Sequence, residues 1–475
     1  MEKVRNGLLI AARIISPLLL LTFIIGLRPI ESRGVESGPS LPLSASGPVL
    51  YYQFGPVAVS ATGSQSVGLY LKTDGSPTSA KIVLASGAPD LTMTPLGGGA
   101  FSITLTHSQA LYGYTASDYN HNFVGYLDLY EGATKLARYN LHINVLDSRI
   151  PHVVSQITDV EVKQSPHVVN LYLPGLYPAN MDVAYVTQHF YQHFSDVYDF
   201  INVIFIPEHF ENRYHIVVKN SVQGIGLSIF DNTATYGSTT HKLQGITVYP
   251  ITGYFDLAER SSVHELGHQW INYLSVPQLQ GVTPHWPISS LARGIMGWQG
   301  SGIQGLDFPY QLVPIGDGNY RCNYVGNKLD FNDMELYLMG LQPSSSVGSH
   351  FVFTNQSQTC DDGILYGPTE TVTVEDVINQ HGLRMPAYPF AQKKFRVATI
   401  VVTQSFLSDQ EMDFFDYFAA RGSFMVPVPF TSGFASGITW PFYVATGGRG
   451  CLVTTINTSG GCYAIYLPLV TRLAE

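Results

Sequence analysis

The pentad His264-Glu265-Leu266-Gly267-His268 constrains this chain more than any other stretch. Two imidazoles four residues apart lie on one face of an α-helix, one turn apart, where both can bind a single Zn²⁺. Glu265 stands beside the first imidazole, within reach of a water on that ion. The metal lowers the water's pKa, and the carboxylate takes its proton. Val263, Leu266, Trp270, Tyr273 and Leu274 add an apolar stripe, which predicts a buried helix over about Asp256 to Leu274. Gly267 lowers helix propensity, but its missing side chain lets another backbone or a substrate come close. In a chain with 15 His, a chance match to this pattern is expected in roughly one such sequence in a hundred. The competing reading is a pair of core histidines beside an exposed Glu.

The 475 residues leave room for two or three domains. With 45 Gly and 28 Pro, turns should be frequent and β structure or long loops common. A net charge of −10, without any Lys/Arg-rich block, argues against nucleic acid as a partner. At the N-terminus Lys3, Arg5 and Arg13 precede the apolar run Ile14 to Leu27, so residues 1–30 read as a signal peptide or an uncleaved N-terminal anchor. No second run is long and apolar enough to span a bilayer, so contact with a membrane is expected only through this segment. The expected location is secreted or at the cell surface. Four cysteines suit that compartment, and local pairing, Cys322–Cys360 and Cys451–Cys462, is the simplest of the three connectivities. No C-x-x-C pair offers zinc a thiolate site.

Residues 31–48 form a Ser/Gly/Pro-rich linker. From 49 to 147 short alternating segments separated by turns predict an immunoglobulin-like β-sandwich; the clearest are Val67 to Leu71, Lys81 to Leu84, Phe101 to Leu105, Val124 to Leu129 and Tyr139 to Val145. The pattern then changes. A helix is expected over 183–197, followed by strands at Phe200 to Ile206, Tyr214 to Val218 and Gly245 to Tyr249. The Gly/Pro-rich stretch 276–330 reads as a functional loop region. Beyond it come a short helix at 374–378, a strand at 395–402 and a helix at 408–420, with Ser408 as N-cap and Glu411 closing a capping box. Tyr466 to Val470 reads as a short apolar tail or a last edge strand.

The heptad His264-Glu265-Leu266-Gly267-His268-Gln269-Trp270 resembles the active-site helix of the zincin metallopeptidases, and most closely that of the aminopeptidase-N-like gluzincins. Those enzymes take a Glu as third ligand soon after the helix. Here no Glu occurs between Glu265 and Glu335, and Pro287 stands where that Glu is expected, so exopeptidase specificity does not carry over. Two candidates remain for the third ligand. His285 is followed by Gly294-Ile295-Met296-Gly297, which resembles the Met-turn beneath the metal of metzincins, with Met296 as a hydrophobic floor. Glu335, with Asp333 as a variant of it, would follow the gluzincin arrangement. His285 is preferred because zinc readily takes imidazole; the other reading of 332–340 is a packed helix with its acidic residues facing water.

The expected fold is α+β: the β-sandwich followed by a zincin-like α/β catalytic domain over 150–475, with 345–475 completing it or forming a C-terminal subdomain. The expected function is that of an exported zinc-dependent endopeptidase acting on protein or peptide substrates, with one catalytic Zn²⁺ on His264, His268 and His285, and Glu265 as base and then proton donor to the leaving amine. Tyr337, Tyr324 or His350 could donate to the oxyanion. The strand Gly245 to Tyr249 could be the sheet edge that pairs with substrate. The alternatives are a zinc aminopeptidase or other zinc hydrolase on the same scaffold, and a non-catalytic surface binding protein that keeps the helix.

Overall fold

The structure is a computed structural model that describes residues 31–32 and most of 50–457. Outside the described residues lie 1–30, 33–49, 113–121, 174–181, 207–212, 250–261, 280–284, 298–309, 325–329, 427–439, 458–475 and some shorter breaks. The N-terminal apolar run, Cys462 and Tyr466 to Val470 therefore fall outside. The chain is mixed α+β, rich in strands, with several antiparallel sheets. Among the described residues no helix is long and apolar enough to cross a membrane.

Alternation builds the first region. In Val67–Thr73 and Ser79–Leu84 every second residue is buried, so each strand has one dry face. Leu50–Phe54, Val67–Thr73, Ala100–Leu105 and Thr94–Gly97 form one antiparallel sheet in that order; Thr134–Ile143, Asn122–Glu131, Ser79–Leu84 and Leu91–Thr92 form another. Both sheets feed one hydrophobic cluster that includes Leu69, Leu71, Ile82, Phe101 and Leu127.

After residue 150 a nine-stranded mixed sheet organises the chain. Its order is Glu31–Ser32, Tyr214–Val217, Gly245–Tyr249, Phe200–Phe205, Lys394–Thr403, Val168–Tyr172, Val162–Gln164 and Gln156–Asp159, with Cys451–Val453 also on Lys394–Thr403. The four strands from Gly245–Tyr249 to Val168–Tyr172 are parallel. Parallel strands are covered on both faces, which is why Phe200–Phe205 and Lys394–Thr403 are buried at nearly every position. Ile201, Val203 and Phe205 meet Val186 and Phe190 of the helix Val183–His193 on one face. Ile204 and Val401 meet Phe414, Phe415 and Phe418 of the helix Asp409–Arg421 on the other. Phe200, Phe395 and Val397, nearer the strand starts on that second face, join a separate cluster with Trp270, Trp286 and Met296.

Several elements differ from expectation. The helix from Val183 stops at His193, because Phe194 turns extended (φ −127°, ψ 146°) and stacks its ring on Phe190 at 4.7 Å. Gly245–Tyr249 is buried at all five positions and lies inside the sheet, so it is not the edge. The antiparallel strand Tyr214–Val217 lies outside it, and on the outer side of that strand Glu31–Ser32 pairs antiparallel, Glu31 opposite Ile216 and Ser32 opposite His215. The expected loop 276–330 holds a hairpin, Tyr310–Gly316 with Asn319–Tyr324. Its first strand is exposed or half-buried throughout, so it carries little alternation to read. Cys322 of that hairpin is bonded to Cys360 as expected, with Cα atoms 5.9 Å apart. Cys451 is disulfide-bonded too, its expected partner Cys462 lying outside the described residues.

The helices at 374–381 and 409–421 begin on complete capping boxes. Thr373 and Asp376 cap the first, Ser408 and Glu411 the second, each side chain taking the other's backbone N–H.

Candidate metal centre

The described part of the pentad helix is Ser262–Gly267. Past Gly267 the N–H groups of His268, Gln269 and Trp270 bond back three residues, at 3.2, 3.1 and 3.0 Å, so the regular helix ends inside the pentad and not near Leu274. Gly267 explains why this site can be dry underneath. A Cβ there would strike the sulfur of Met296, which is fully buried against it. One turn on, Trp270 wedges against Phe200 and Phe395, ring centroids 5.7 and 5.4 Å away, and fixes the segment to the sheet.

His264 and His268 keep their Nε2 atoms 3.2 Å apart, and His285 brings its own Nε2 to 3.1 Å from that of His264. All three imidazoles are buried and offer donor atoms within 4.8 Å of one another. The Nδ1 of His264 donates to the carbonyl of Ile295 at 2.9 Å, which places the proton on Nδ1 and leaves the Nε2 lone pair for the cluster. That carbonyl belongs to the tight turn Gly294 to Gly297, closed by a 3.0 Å bond from the Gly297 N–H to the Gly294 carbonyl, with Gly297 in the left-handed region (φ 53°). The turn also accepts the Trp286 N–H at the Gly297 carbonyl (3.2 Å), so it carries both the floor of the cluster and the segment of His285.

Glu335, the other candidate ligand, does not join the three imidazoles. Nor does it face water: it is fully buried on the helix Asp333–Leu338. Its Oε1 accepts from Trp286 Nε1 (2.7 Å) and the Met296 N–H (3.3 Å), and its Oε2 accepts from the Asn332 N–H (2.8 Å). One carboxylate thus ties the residue after His285 to the turn under His264. A Cβ on Gly294 would overlap it, which is what glycine achieves there. Arg384 braces the far end of the same helix by donating to the carbonyls of Leu338 (3.1 Å) and Met339 (2.9 Å).

Glu265 is buried, so the reading with an exposed Glu fails. Its Oε1 lies 3.1 Å from Nε of Arg213, itself buried. Arg213 immediately precedes the strand Tyr214–Val217. Two residues along, on the same side of that strand, His215 donates from Nε2 to Oε1 of Gln269 (3.1 Å) and accepts from Oγ1 of Thr247 (3.0 Å). Residues 213 and 215 thus meet residues 265 and 269, one helical turn apart. Burial pushes the imidazole of His215 down to about 4, so it is neutral at pH 7. The sequence reading missed these contacts. Their signal is the polar pair Arg213 and His215 alternating with Tyr214 and Ile216 in an otherwise apolar strand.

The oxyanion candidates are engaged elsewhere. The Tyr337 hydroxyl accepts from the Arg384 N–H at 3.3 Å. His350 contacts Asp333 Oδ1 at 2.8 Å and Ser290 Oγ at 3.0 Å. Burial alone would raise the Asp333 carboxyl, but hydrogen bonds from His350 and the Gly348 N–H outweigh it and hold the group below its ordinary range. The side chain of Tyr324 lies outside the described residues.

The donor set suits a tetrahedral ion. Zinc–nitrogen bonds of about 2.0–2.1 Å put neighbouring donors roughly 3.3 Å apart, close to the 3.1 and 3.2 Å separations found. Three imidazoles leave a fourth position open, as hydrolytic zinc sites do. No family model matches this chain, and no curated protein or solved structure matches it either.

Proposed function

We propose that this chain is an exported zinc-dependent endopeptidase of zincin type, its catalytic domain preceded by an immunoglobulin-like β-sandwich. The observation that carries the reading is the convergence of His264, His268 and His285 beside a buried, ion-paired Glu265. Zinc held by the three imidazoles supplies a lowered water pKa and polarisation of the scissile carbonyl. Glu265 accepts the proton of the attacking water and passes it to the leaving amine. Arg213 pairs with one oxygen of that carboxylate and so helps fix its orientation. Met296 and Trp270 keep the floor dry, and the His264 bond to Ile295 keeps its ring in one tautomer and one orientation.

The strand Tyr214–Val217 would accept an extended substrate in place of Glu31–Ser32, which pairs along its outer side, and Arg213 just before it reaches Glu265. The disulfide Cys322–Cys360 suits an oxidising compartment.

Purified protein should hold zinc and cleave internally quenched peptides. Glu265→Gln should lower kcat by about 10³-fold with the zinc retained. His268→Ala should lose both the ion of the buried cluster and turnover. Hydrolysis that survives Glu265→Gln, or a folded sample that takes up no zinc, removes the reading.

A further inference from the structure

Outside the buried cluster, one other group of side chains among the described residues brings three ligand atoms within 4.8 Å: Glu161, His189 and His193. We propose that these three residues form a second divalent-metal site, of the class that Zn²⁺ occupies, which pins the hairpin of Gln156–Asp159 and Val162–Gln164 to the helix Val183–His193.

His189 and His193 are one turn apart on that helix, ring centroids 5.4 Å from each other, as in the pair of the buried site. The helix is held rigidly: Val186 and Phe190 are buried against the large sheet, and Asp182 caps its N-terminus through the Ala184 N–H at 2.8 Å. Tyr185 stacks on the His189 ring at 5.8 Å and 17°, which limits its rotation. Glu161 comes from the hairpin turn, whose backbone is fixed by the Tyr172 N–H donating to the Glu161 carbonyl at 2.8 Å.

The Oε2 of Glu161 lies 2.6 Å from Nε2 of His189, with a proton shared between them. A cation displaces that proton and takes both lone pairs, together with His193. Asp159, whose Oδ2 is 3.7 Å from Nδ1 of His193, adds negative charge at the rim. Two imidazoles and a carboxylate are a donor set that zinc binds readily. The side chains of His189 and His193 are 13% and 21% exposed, so an ion reaches them directly from solvent. The hydrolysis of peptides does not involve this site.

Metal-stripped full-length protein, dialysed against micromolar Zn²⁺ alone, should take up two ions per chain. His193→Asn and Glu161→Gln should each take up one, keep hydrolysis within twofold of wild type, and lose the part of the zinc-induced rise in Tm that this site supplies. His268→Ala should also keep one ion, the one at this site. Uptake of two ions by both His193→Asn and Glu161→Gln overturns the proposal. Wild-type protein that binds a single ion, lost in His193→Asn but kept in His268→Ala, supports this site and removes the reading of the buried one.

Discussion

The two histidine clusters start from the same device, a pair of imidazoles one helical turn apart joined by a third donor from elsewhere in the chain. They differ in what stands behind the donors. Behind His264, His268 and His285 lie a dry floor of Met296 and Trp270, a backbone carbonyl fixing one ring, the carboxylate of Glu335 joining two loops, and the Arg213–Glu265 ion pair. Behind Glu161, His189 and His193 lies a well-packed helix, but the donors themselves are only part-buried and reach solvent. Burial makes every polar group at the first cluster costly to misplace. At the second, water can replace any lost partner. The difference separates a cluster whose donors are fixed by buried partners from one whose donors share their contacts with solvent.

Substitutions test that contrast. Arg213→Met, similar in length and neutral, removes a charged partner of a buried carboxylate and should cost about 3–5 kcal/mol in urea unfolding; a loss below 1 kcal/mol would mean that the ion pair has no buried character. The acid limb comes next. His215 titrates near 4 in the folded chain and near its ordinary 6.5 when unfolded. Between those values only the unfolded chain takes up the proton. Its contribution is therefore fully present above pH 6.5 and is lost as the pH falls towards 4, about 3 kcal/mol in all. His215→Gln should flatten that slope in urea titrations across this range, and an unchanged slope would assign it to other groups. Glu335→Gln keeps the volume but turns an amide towards N–H donors. It should cost about 2 kcal/mol and weaken zinc binding by roughly 10- to 100-fold, read by competition with a chelator. The smallest effect belongs to the part-buried cluster: in metal-free protein His193→Ala should change stability by no more than about 0.5 kcal/mol in the same unfolding assay. A larger loss there would erase the distinction between the clusters.

What could be read from the sequence was local. The capping box of Ser408 and Glu411 spans one turn, and the alternation of Val67–Thr73 needs only its own residues. The imidazole pair of the pentad is equally local, and His285 stood out as the single histidine between it and His350. What escaped depends on neighbours distant along the chain. Arg213 meets Glu265 only because the strand Tyr214–Val217 is laid beside the pentad, and no spacing rule links the two. The early end of the pentad helix comes at Gly267, where the sulfur of Met296 fills the space a side chain would need. Glu335, a plausible ligand by residue type, is taken instead by Trp286, Met296 and its own helix start. The hairpin Tyr310–Gly316 with Asn319–Tyr324 escaped for the opposite reason, since a mostly wet ribbon imprints little hydrophobic period on its residues.

The position of Lys394–Thr403 has a consequence in time. This strand lies between Phe200–Phe205 and Val168–Tyr172, and its Phe395 is one of the two rings that seat Trp270. A chain emerging from its N-terminus presents the pentad well over a hundred residues before that strand exists. The two sheets built from residues 50–143 can close early, because all their strands are already made. The large sheet must wait with a gap at its centre, exposed to the non-local pairing that makes such topologies slow to fold. The Trp270 seat beside His264 and His268 is therefore completed only after Lys394–Thr403 has been made, and until then a nascent chain carries its two imidazoles in an unassembled form.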